Sequence, residues 1–337
     1  MSSDEMNNEE PIAADVLEGP IVNTSPSLTM NPSVPSVEIP SSMLESKPRL
    51  WTVFVTTLCA ALLCLGVALA SGFIIGILNS ATMSGEALSK LSQDEVVKLV
   101  SADVFAHPAL LFFLLIPGPI ALLGITVFAA IRSPVPFVSR LSLTRPSWPW
   151  WVTVAAVLAA PFVSFLWSIL RSGFVDSNQF MEMFVKMSRS MTAGFGIGVS
   201  LLCFAALPAF SEEWLFRGYV QTRLAQRWSP WLAILVSSLL FAVFHGDPVH
   251  VISVFPIGLW LGYISWRSGS IIPAMLAHAY NNSLSLIGAV YDQTDALDTG
   301  MAAFSDQLVV FLGLLGLLVF IGYRIASRKG LWKTGHA

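Results

Sequence analysis

The chain has 337 residues, of which 55% are hydrophobic and only 12% are charged, and its mean hydropathy is +0.70. Soluble domains carry about a quarter charged residues, so this composition indicates an all-α polytopic membrane protein rather than a soluble one. The formal net charge is −3, and no basic surface suggests a nucleic-acid partner. The three cysteines lie in apolar runs and fit neither a disulfide framework nor a zinc cluster with paired spacing.

Residues 1–46 are a polar tail rich in Asp, Glu, Ser, Pro and Asn, without Lys or Arg. Such a segment cannot bury enough apolar area to offset the entropy of ordering it, so we expect it to be disordered. The composition predicts a helical membrane bundle over residues 47–330 and a short basic tail over 331–337.

Eight apolar stretches are candidate membrane spans by length and hydropathy. They run over residues 50–78, 107–131, 149–170, 191–213, 230–246, 249–266, 270–291 and 306–323. The fifth stretch has only about 14 clearly apolar residues and falls below the usual spanning length of about 20. The sequence therefore predicts about eight transmembrane helices in contact with membrane lipid.

The charges between the spans predict the orientation. With eight spans, 13 of the 18 Lys and Arg residues fall on the side of the N-terminus. Because basic residues are enriched in cytoplasmic loops, we expect both termini to be cytoplasmic.

The fourth span ends in a charged motif, Ser211-Glu-Glu-Trp-Leu-Phe-Arg217. Ionisable groups inside an apolar helix are costly to bury and usually have a function. On a helix, Glu213 and Arg217 are four residues apart and share a face, which favours an ion pair. Glu212 points about 100° away, so it remains an unpaired carboxylate suited to proton transfer. A plain cluster of charges at the membrane interface would explain the same spacing.

Two later stretches supply further polar side chains. His245 follows Phe241 by four residues at the end of the fifth span, and Asn282 follows His278 by four residues within the seventh. Hydrogen-bonding side chains on one helical face also stabilise helix–helix contacts, so each pair alone is ambiguous. Together, a Glu, two His and an Asn supply a base, an imidazole and donors for an oxyanion, which suits hydrolysis of an amide by activated water.

These three motifs, Glu212-Glu213-x-x-x-Arg217, Phe241-x-x-x-His245 and His278-x-x-x-Asn282, resemble the signature motifs of the CPBP family. That family comprises intramembrane proteases related to the CaaX prenyl-protein endopeptidase and to bacteriocin-processing and immunity proteins. The resemblance covers roughly residues 195–290 and implies a membrane endopeptidase that acts on a peptide or protein near the membrane, in a bacterial cytoplasmic membrane.

The resemblance also implies roles for individual residues. Glu212 and His245 would activate the water, Glu213 and Arg217 would support Glu212, and His278 and Asn282 would bind the oxyanion. The family is described both as metalloproteases and as metal-independent glutamate-type enzymes. Glu212, His245 and His278 could ligate one zinc ion, whereas the positive charge of Arg217 beside the carboxylates favours chemistry without an obligatory metal.

Two other functions remain open: a non-catalytic membrane scaffold or immunity protein, and a transporter that uses Glu212 and the histidines as a proton relay. The hydrolytic hypothesis carries a structural condition. If the fourth helix stopped at Glu212, His245 at the far end of the fifth span could not reach it. We therefore expect the fourth helix to continue through Arg217 to about Arg227.

Overall fold

A computed structural model describes residues 49–80, 92, 104, 107–171, 179–291 and 299–329. Over these residues the regular structure is helical, without a β-strand. The first helices are α1 (Trp51–Ser80), α2 (Pro108–Leu115), α3 (Pro117–Ile131), α4 (Phe137–Arg140) and α5 (Trp150–Arg171). They are followed by α6 (Gln179–Leu201), α7 (Leu207–Glu213), α8 (Thr222–Ala225), α9 (Pro230–Val243), α10 (Pro248–Ser268), α11 (Ile272–Tyr291) and α12 (Thr299–Arg328). The predicted tails, residues 1–46 and 331–337, lie outside the described residues.

Six helical segments of the described chain are long and apolar enough to cross a membrane, so the protein is an all-α polytopic membrane protein, as predicted. The segments are Trp51–Ile77, Pro108–Ile131, Trp150–Leu170, Met181–Ala225, Pro248–Ser268 and Gln307–Arg328. The predicted count of eight is therefore only approximate. The two remaining stretches do form helices, but α9 has only 14 residues, and α11 carries His278, Asn281 and Asn282 among its apolar residues.

The central element is a helical segment that runs from α6 to α8. Two π-helical stretches, Leu202–Ala206 and Trp214–Gln221, join α6, α7 and α8 without ending the helix. The backbone leaves helical geometry once, at Gly196 in α6, where φ is 80° and ψ is 165°. Glu212 and Arg217 therefore lie inside a continuing helix that ends at Ala225, which confirms the structural condition set by the sequence.

A hairpin between α8 and α9 returns the chain toward the depth of Glu212. Ser229 caps α9 by accepting a hydrogen bond from the Leu232 amide, and Pro230 occupies the first turn, where its missing N–H costs nothing. The 14 residues of α9 span about 21 Å. This length is comparable to the rise from Glu212 down to Ala225, so His245 comes back to the level of the two carboxylates.

The chain reverses sharply after His245. Gly246 has a φ of 76°, a left-handed conformation that glycine adopts without a steric penalty. Asp247 then caps α10 by accepting a hydrogen bond from the His250 amide at 2.7 Å. The sequence Gly-Asp-Pro thus ends one helix and starts the next within three residues, and this tight connection fixes the position of His245.

Helices α10 and α11 close the site against α5. One core cluster joins α5, α10, α11 and α12 through residues such as Val152, Leu261, Ala277 and Phe320. Pro256, in the interior of α10, cannot donate to the carbonyl of Ile252. Trp167 of α5 donates its Nε1–H to that carbonyl oxygen at 2.8 Å. The carbonyl that Pro256 leaves without a donor thus joins α10 to α5.

Candidate active site

Glu213 and Arg217 form a fully buried ion pair on the central helix. The Nη1 atom of Arg217 lies 2.7 Å from Oε1 of Glu213, and both side chains have 0% exposure. The Nη2 atom donates to the carbonyl oxygen of Gly258 in α10 at 2.8 Å, and the guanidinium lies 4.4 Å from the ring centroid of Phe241. The predicted i, i+4 pair is therefore present, and it joins the central helix to α10 and α9.

His278 of α11 extends this pair toward the second carboxylate. Its Nδ1 atom lies 3.0 Å from Oε1 of Glu213. A carboxylate oxygen only accepts, so Nδ1 donates its proton to Glu213. The other ring nitrogen, Nε2, lies 4.0 Å from Oε2 of Glu212. His278 is thus held between the two glutamates, with one nitrogen bound to Glu213 and the other directed toward Glu212.

Glu212 differs from Glu213 in its surroundings. Its side chain is 17% exposed, against 0% for Glu213. The Oε2 atoms of both glutamates are buried without a hydrogen-bond partner among the described residues, but only the Glu212 side chain is partly exposed. A buried carboxylate oxygen without a donor is costly, so such an atom usually marks a place where water or substrate binds.

His245 lies in the turn after α9, with its Nδ1 atom 2.9 Å from the carbonyl oxygen of Phe241. The carbonyl can only accept, so Nδ1 carries the proton, and Nε2 of the neutral ring keeps a lone pair. The Phe241 ring packs against both imidazoles, with centroids 5.0 Å from His245 and 5.6 Å from His278. Phe241 therefore contacts both histidines and helps to orient each of them.

A cavity of about 630 Å³ connects these groups. Four of the six predicted site residues line it: Glu212, His245, His278 and Asn282. Glu213 and Arg217 lie behind this wall and contact the cavity through His278. The remaining lining comes mainly from apolar and hydroxyl side chains of α5, α6, α10 and α11.

Several further polar residues line the same cavity and were not among the predicted site residues, including Arg189, His250 and Asn281. The His250 ring lies 4.8 Å from the ring of His245, and Asn281 accepts a hydrogen bond from the Ser164 hydroxyl at 2.9 Å. His250 is five residues from His245, a spacing that gives no periodic signal. It becomes part of the site only because Gly246 reverses the chain.

Glu212, His245 and His278 are also the residues suggested as zinc ligands. In the described part of the chain, no group of three His, Cys, Asp or Glu side chains is close enough to hold a metal ion. The bond from Nδ1 of His278 to Glu213 leaves Nε2 of that ring available, but Glu212, His245 and His278 are not drawn together around one point. The three side chains therefore do not fit a zinc site in this arrangement.

Residues 194–284 match the family model described as type II CAAX prenyl endopeptidase Rce1-like. This range contains all six predicted site residues, and the predicted resemblance to CaaX-type intramembrane proteases is confirmed over it. The chain is also 31% identical over 94 residues to an "Uncharacterized 24.3 kDa protein" of Escherichia coli; the alignment covers 26% of this chain and 43% of that relative. No solved structure matches the chain.

Proposed function

We propose that the protein is an intramembrane endopeptidase that hydrolyses a peptide bond of a membrane-associated substrate with an activated water. One observation carries this proposal: Glu212 of α7, His245 in the turn after α9, and His278 and Asn282 of α11 come from three separate parts of the chain and line a single cavity. The match of residues 194–284 to the Rce1-like family supports the same class of reaction. A peptide or protein in the surrounding lipid is the corresponding substrate.

Water activation is the role of Glu212 and His245. The unpartnered Oε2 atom of Glu212 accepts a hydrogen bond from the water and then takes its proton. Because Nδ1 of His245 is bound to the Phe241 carbonyl, its Nε2 lone pair is the acceptor that orients the same water. The resulting hydroxide forms a bond to the carbonyl carbon of the scissile peptide, and the π-electron pair of the C=O bond moves to the carbonyl oxygen.

His278 and Asn282 stabilise the oxyanion that this attack creates. Asn282 donates through its side-chain amide, and His278 donates through Nε2–H when the ring is protonated. Glu213 holds His278 through Nδ1, and Arg217 holds Glu213, so the buried pair positions the donor without touching the substrate. The proton on Glu212 then passes to the leaving amine as the C–N bond breaks.

The sidedness of the reaction follows from the charge distribution. We propose that both termini are cytoplasmic, that the chain resides in a bacterial cytoplasmic membrane and that it cleaves near the membrane surface. The name of the E. coli relative states no activity, and the alignment covers less than half of that protein's length. The activity and substrate are therefore to be found by assay.

The test is cleavage of a library of lipid-tethered peptides by the purified full-length protein in proteoliposomes, with products identified by mass spectrometry. We expect cleavage by wild type and by Glu182→Gln, a control that removes one exposed carboxylate outside the cavity lining. We expect background signal from Glu212→Ala. Equal signal from wild type and Glu212→Ala would move the assignment to a non-catalytic scaffold.

A chelator arm of the same assay tests the metal question. Because Glu212, His245 and His278 do not fit a zinc site here, we expect cleavage to persist after the chelator treatment. Cleavage that stops with chelator and returns with added zinc would contradict this mechanism, while leaving the endopeptidase assignment intact.

A further inference from the structure

Two buried arginines lie at the end of the bundle where α1 begins and α3 and α8 end. Arg140 of α4 is 5% exposed, and Arg223 of α8 is 8% exposed. The chain after Arg140 packs against the central helix five residues before Arg223: a Cβ atom built on Gly218 would lie 3.0 Å from the carbonyl oxygen of Leu141. Neither arginine lines the catalytic cavity.

Their hydrogen-bond partners are neutral. Arg140 donates through Nε to the Ser133 hydroxyl at 2.8 Å, and Arg223 donates through Nη1 to the Thr52 hydroxyl at 2.8 Å. The Arg223 guanidinium also stacks over the Tyr219 ring, 4.2 Å from its centroid, and its Nε atom is buried without a hydrogen-bond partner in the described chain. These contacts fix the side chains without neutralising them.

Among the described residues, no carboxylate forms an ion pair with Arg140 or Arg223, unlike Arg217, which has Glu213. Burial and the nearby positive charge of Arg223 lower the pKa of the Arg140 guanidinium from its usual value. An arginine nevertheless stays charged in proteins, so the pair holds two positive charges in a place where buried charges are normally compensated.

The start of α1 adds a third positive element. Thr52, the partner of Arg223, lies in the first turn of this 30-residue helix. A helix N-terminus carries about half a positive charge, although the Thr52 and Val53 N–H groups are already bonded to the carbonyl oxygens of Arg49 and Leu50. Two guanidiniums and a helix N-terminus thus converge where three membrane helices end, which is the level of lipid headgroups.

We propose that Arg140, Arg223 and the first turn of α1 form a binding site for a phosphate group. Guanidinium groups bind phosphate oxygens through paired, charge-assisted hydrogen bonds, and the site supplies such donors together with positive charge that no carboxylate of the described residues compensates. The phosphate belongs to a phospholipid headgroup or to a soluble phosphate compound. Its binding would tie α1, α4 and α8 together at one end of the central helix.

The experiment uses the full-length protein in micelles doped with phosphatidylglycerol or phosphatidylcholine, and separately with inorganic phosphate. Thermal unfolding is followed by tryptophan fluorescence, and retained lipid is counted by native mass spectrometry. The variants are Arg140→Gln and Arg223→Gln. The control, Arg145→Gln, removes one exposed charge that follows α4.

We expect phosphatidylglycerol to raise the Tm of wild type and Arg145→Gln by about 3 °C or more over phosphatidylcholine, as specific ligand binding does. Arg140→Gln and Arg223→Gln should lose most of this rise. A response to phosphatidylglycerol assigns the headgroup as the source of the phosphate, and a response to inorganic phosphate alone assigns a soluble compound. The proposal is overturned if wild type responds to neither, or if the glutamine variants respond as wild type does.

Should a glutamine variant fail to fold, two measurements still decide the matter. Arg140→Lys and Arg223→Lys keep the charge but lose the paired donors, so they should fold and show a reduced rise in Tm. For wild type alone, native mass spectrometry should show phosphatidylglycerol retained in preference to phosphatidylcholine. Equal retention of the two lipids, together with no response to phosphate, would refute the site.

Discussion

Glu212 and Glu213 are adjacent in the sequence, but their carboxylates have different surroundings. Glu213 belongs to the buried pair, with Arg217, and is fully enclosed by protein. Glu212 belongs to the cavity group, with His245 and Asn282. Each glutamate has one oxygen without a hydrogen-bond partner in the described chain, but only Glu212 lines the cavity. Successive residues on a helix point about 100° apart, so a single turn provides both an ion pair and an uncompensated carboxylate.

This difference between the two carboxylates indicates how such a site remains stable in a membrane. The buried pair compensates its own charges and holds His278, whereas the cavity group keeps atoms available for water and substrate. Changes to the buried pair should therefore lower stability first, and changes to the cavity group should lower activity while leaving stability nearly unchanged.

The largest effect is expected for Arg217→Met. This change leaves the Glu213 carboxylate buried without its partner and should lower the free energy of unfolding by about 3–5 kcal/mol. The loss is measured as a lower Tm and a lower yield of folded protein in detergent. The double variant Glu213→Gln with Arg217→Met should recover part of the stability, because it removes the unpaired charge. A wild-type Tm for the single variant would contradict the role of the pair.

The second largest effect is expected for His245→Asn, which changes the cavity group. Loss of the imidazole that orients the water should lower kcat by about 10²–10⁴-fold, with a Tm close to that of wild type. The matched control is His250→Asn, which changes a neighbouring imidazole in the same cavity. If both variants lose the same activity, His245 has no special role in water activation.

Asn282→Ala should lower kcat by about 10²–10³-fold with little change in KM, because an oxyanion donor acts mainly in the transition state. Asn281→Ala is the control. It removes the neighbouring amide, whose described partner is Ser164 rather than a substrate. A rise in KM without a change in kcat would instead indicate that Asn282 binds the substrate in its ground state.

The smallest effect is expected for Gln221→Leu. Gln221 lies one turn after Arg217 and donates in the same way to α10, with its Nε2 atom 2.9 Å from the Gly262 carbonyl oxygen. It carries no charge, and its Oε1 atom is buried without a partner among the described residues. Its loss should change stability by about 1 kcal/mol or less and leave the cleavage rate unchanged. A loss as large as that of Arg217→Met would show that contact with α10, rather than charge compensation, governs stability.

The sequence predicted the helical class and the polar residues because both have local signals. Hydropathy marks the long helices, and a spacing of four residues predicts the pairing of Glu213 with Arg217. The count of spans was less accurate because α9 is short and α11 carries the polar residues of the site. Two of the helices that contribute to the cavity, α9 and α11, are thus the ones that hydropathy describes least well.

The remaining features depend on contacts between distant segments. The hydrogen bond from Arg217 to Gly258, the position of His278 between two glutamates and the inclusion of His250 all require the packing of α9, α10 and α11. Likewise, the backbone departure at Gly196 and the two π-helical stretches leave no periodic pattern in the residues. Spacing along a helix gives neighbours within one element, but it cannot give the register between elements.

The most direct test of the central claim compares wild type with Glu212→Gln, measuring the cleavage rate and the Tm on the same samples. Gln keeps the size of the side chain but cannot take a proton from water. We predict a loss of cleavage of at least about 10²-fold with an unchanged Tm. Cleavage by Glu212→Gln at the wild-type rate would contradict the account, because the water would then be activated by a group other than Glu212.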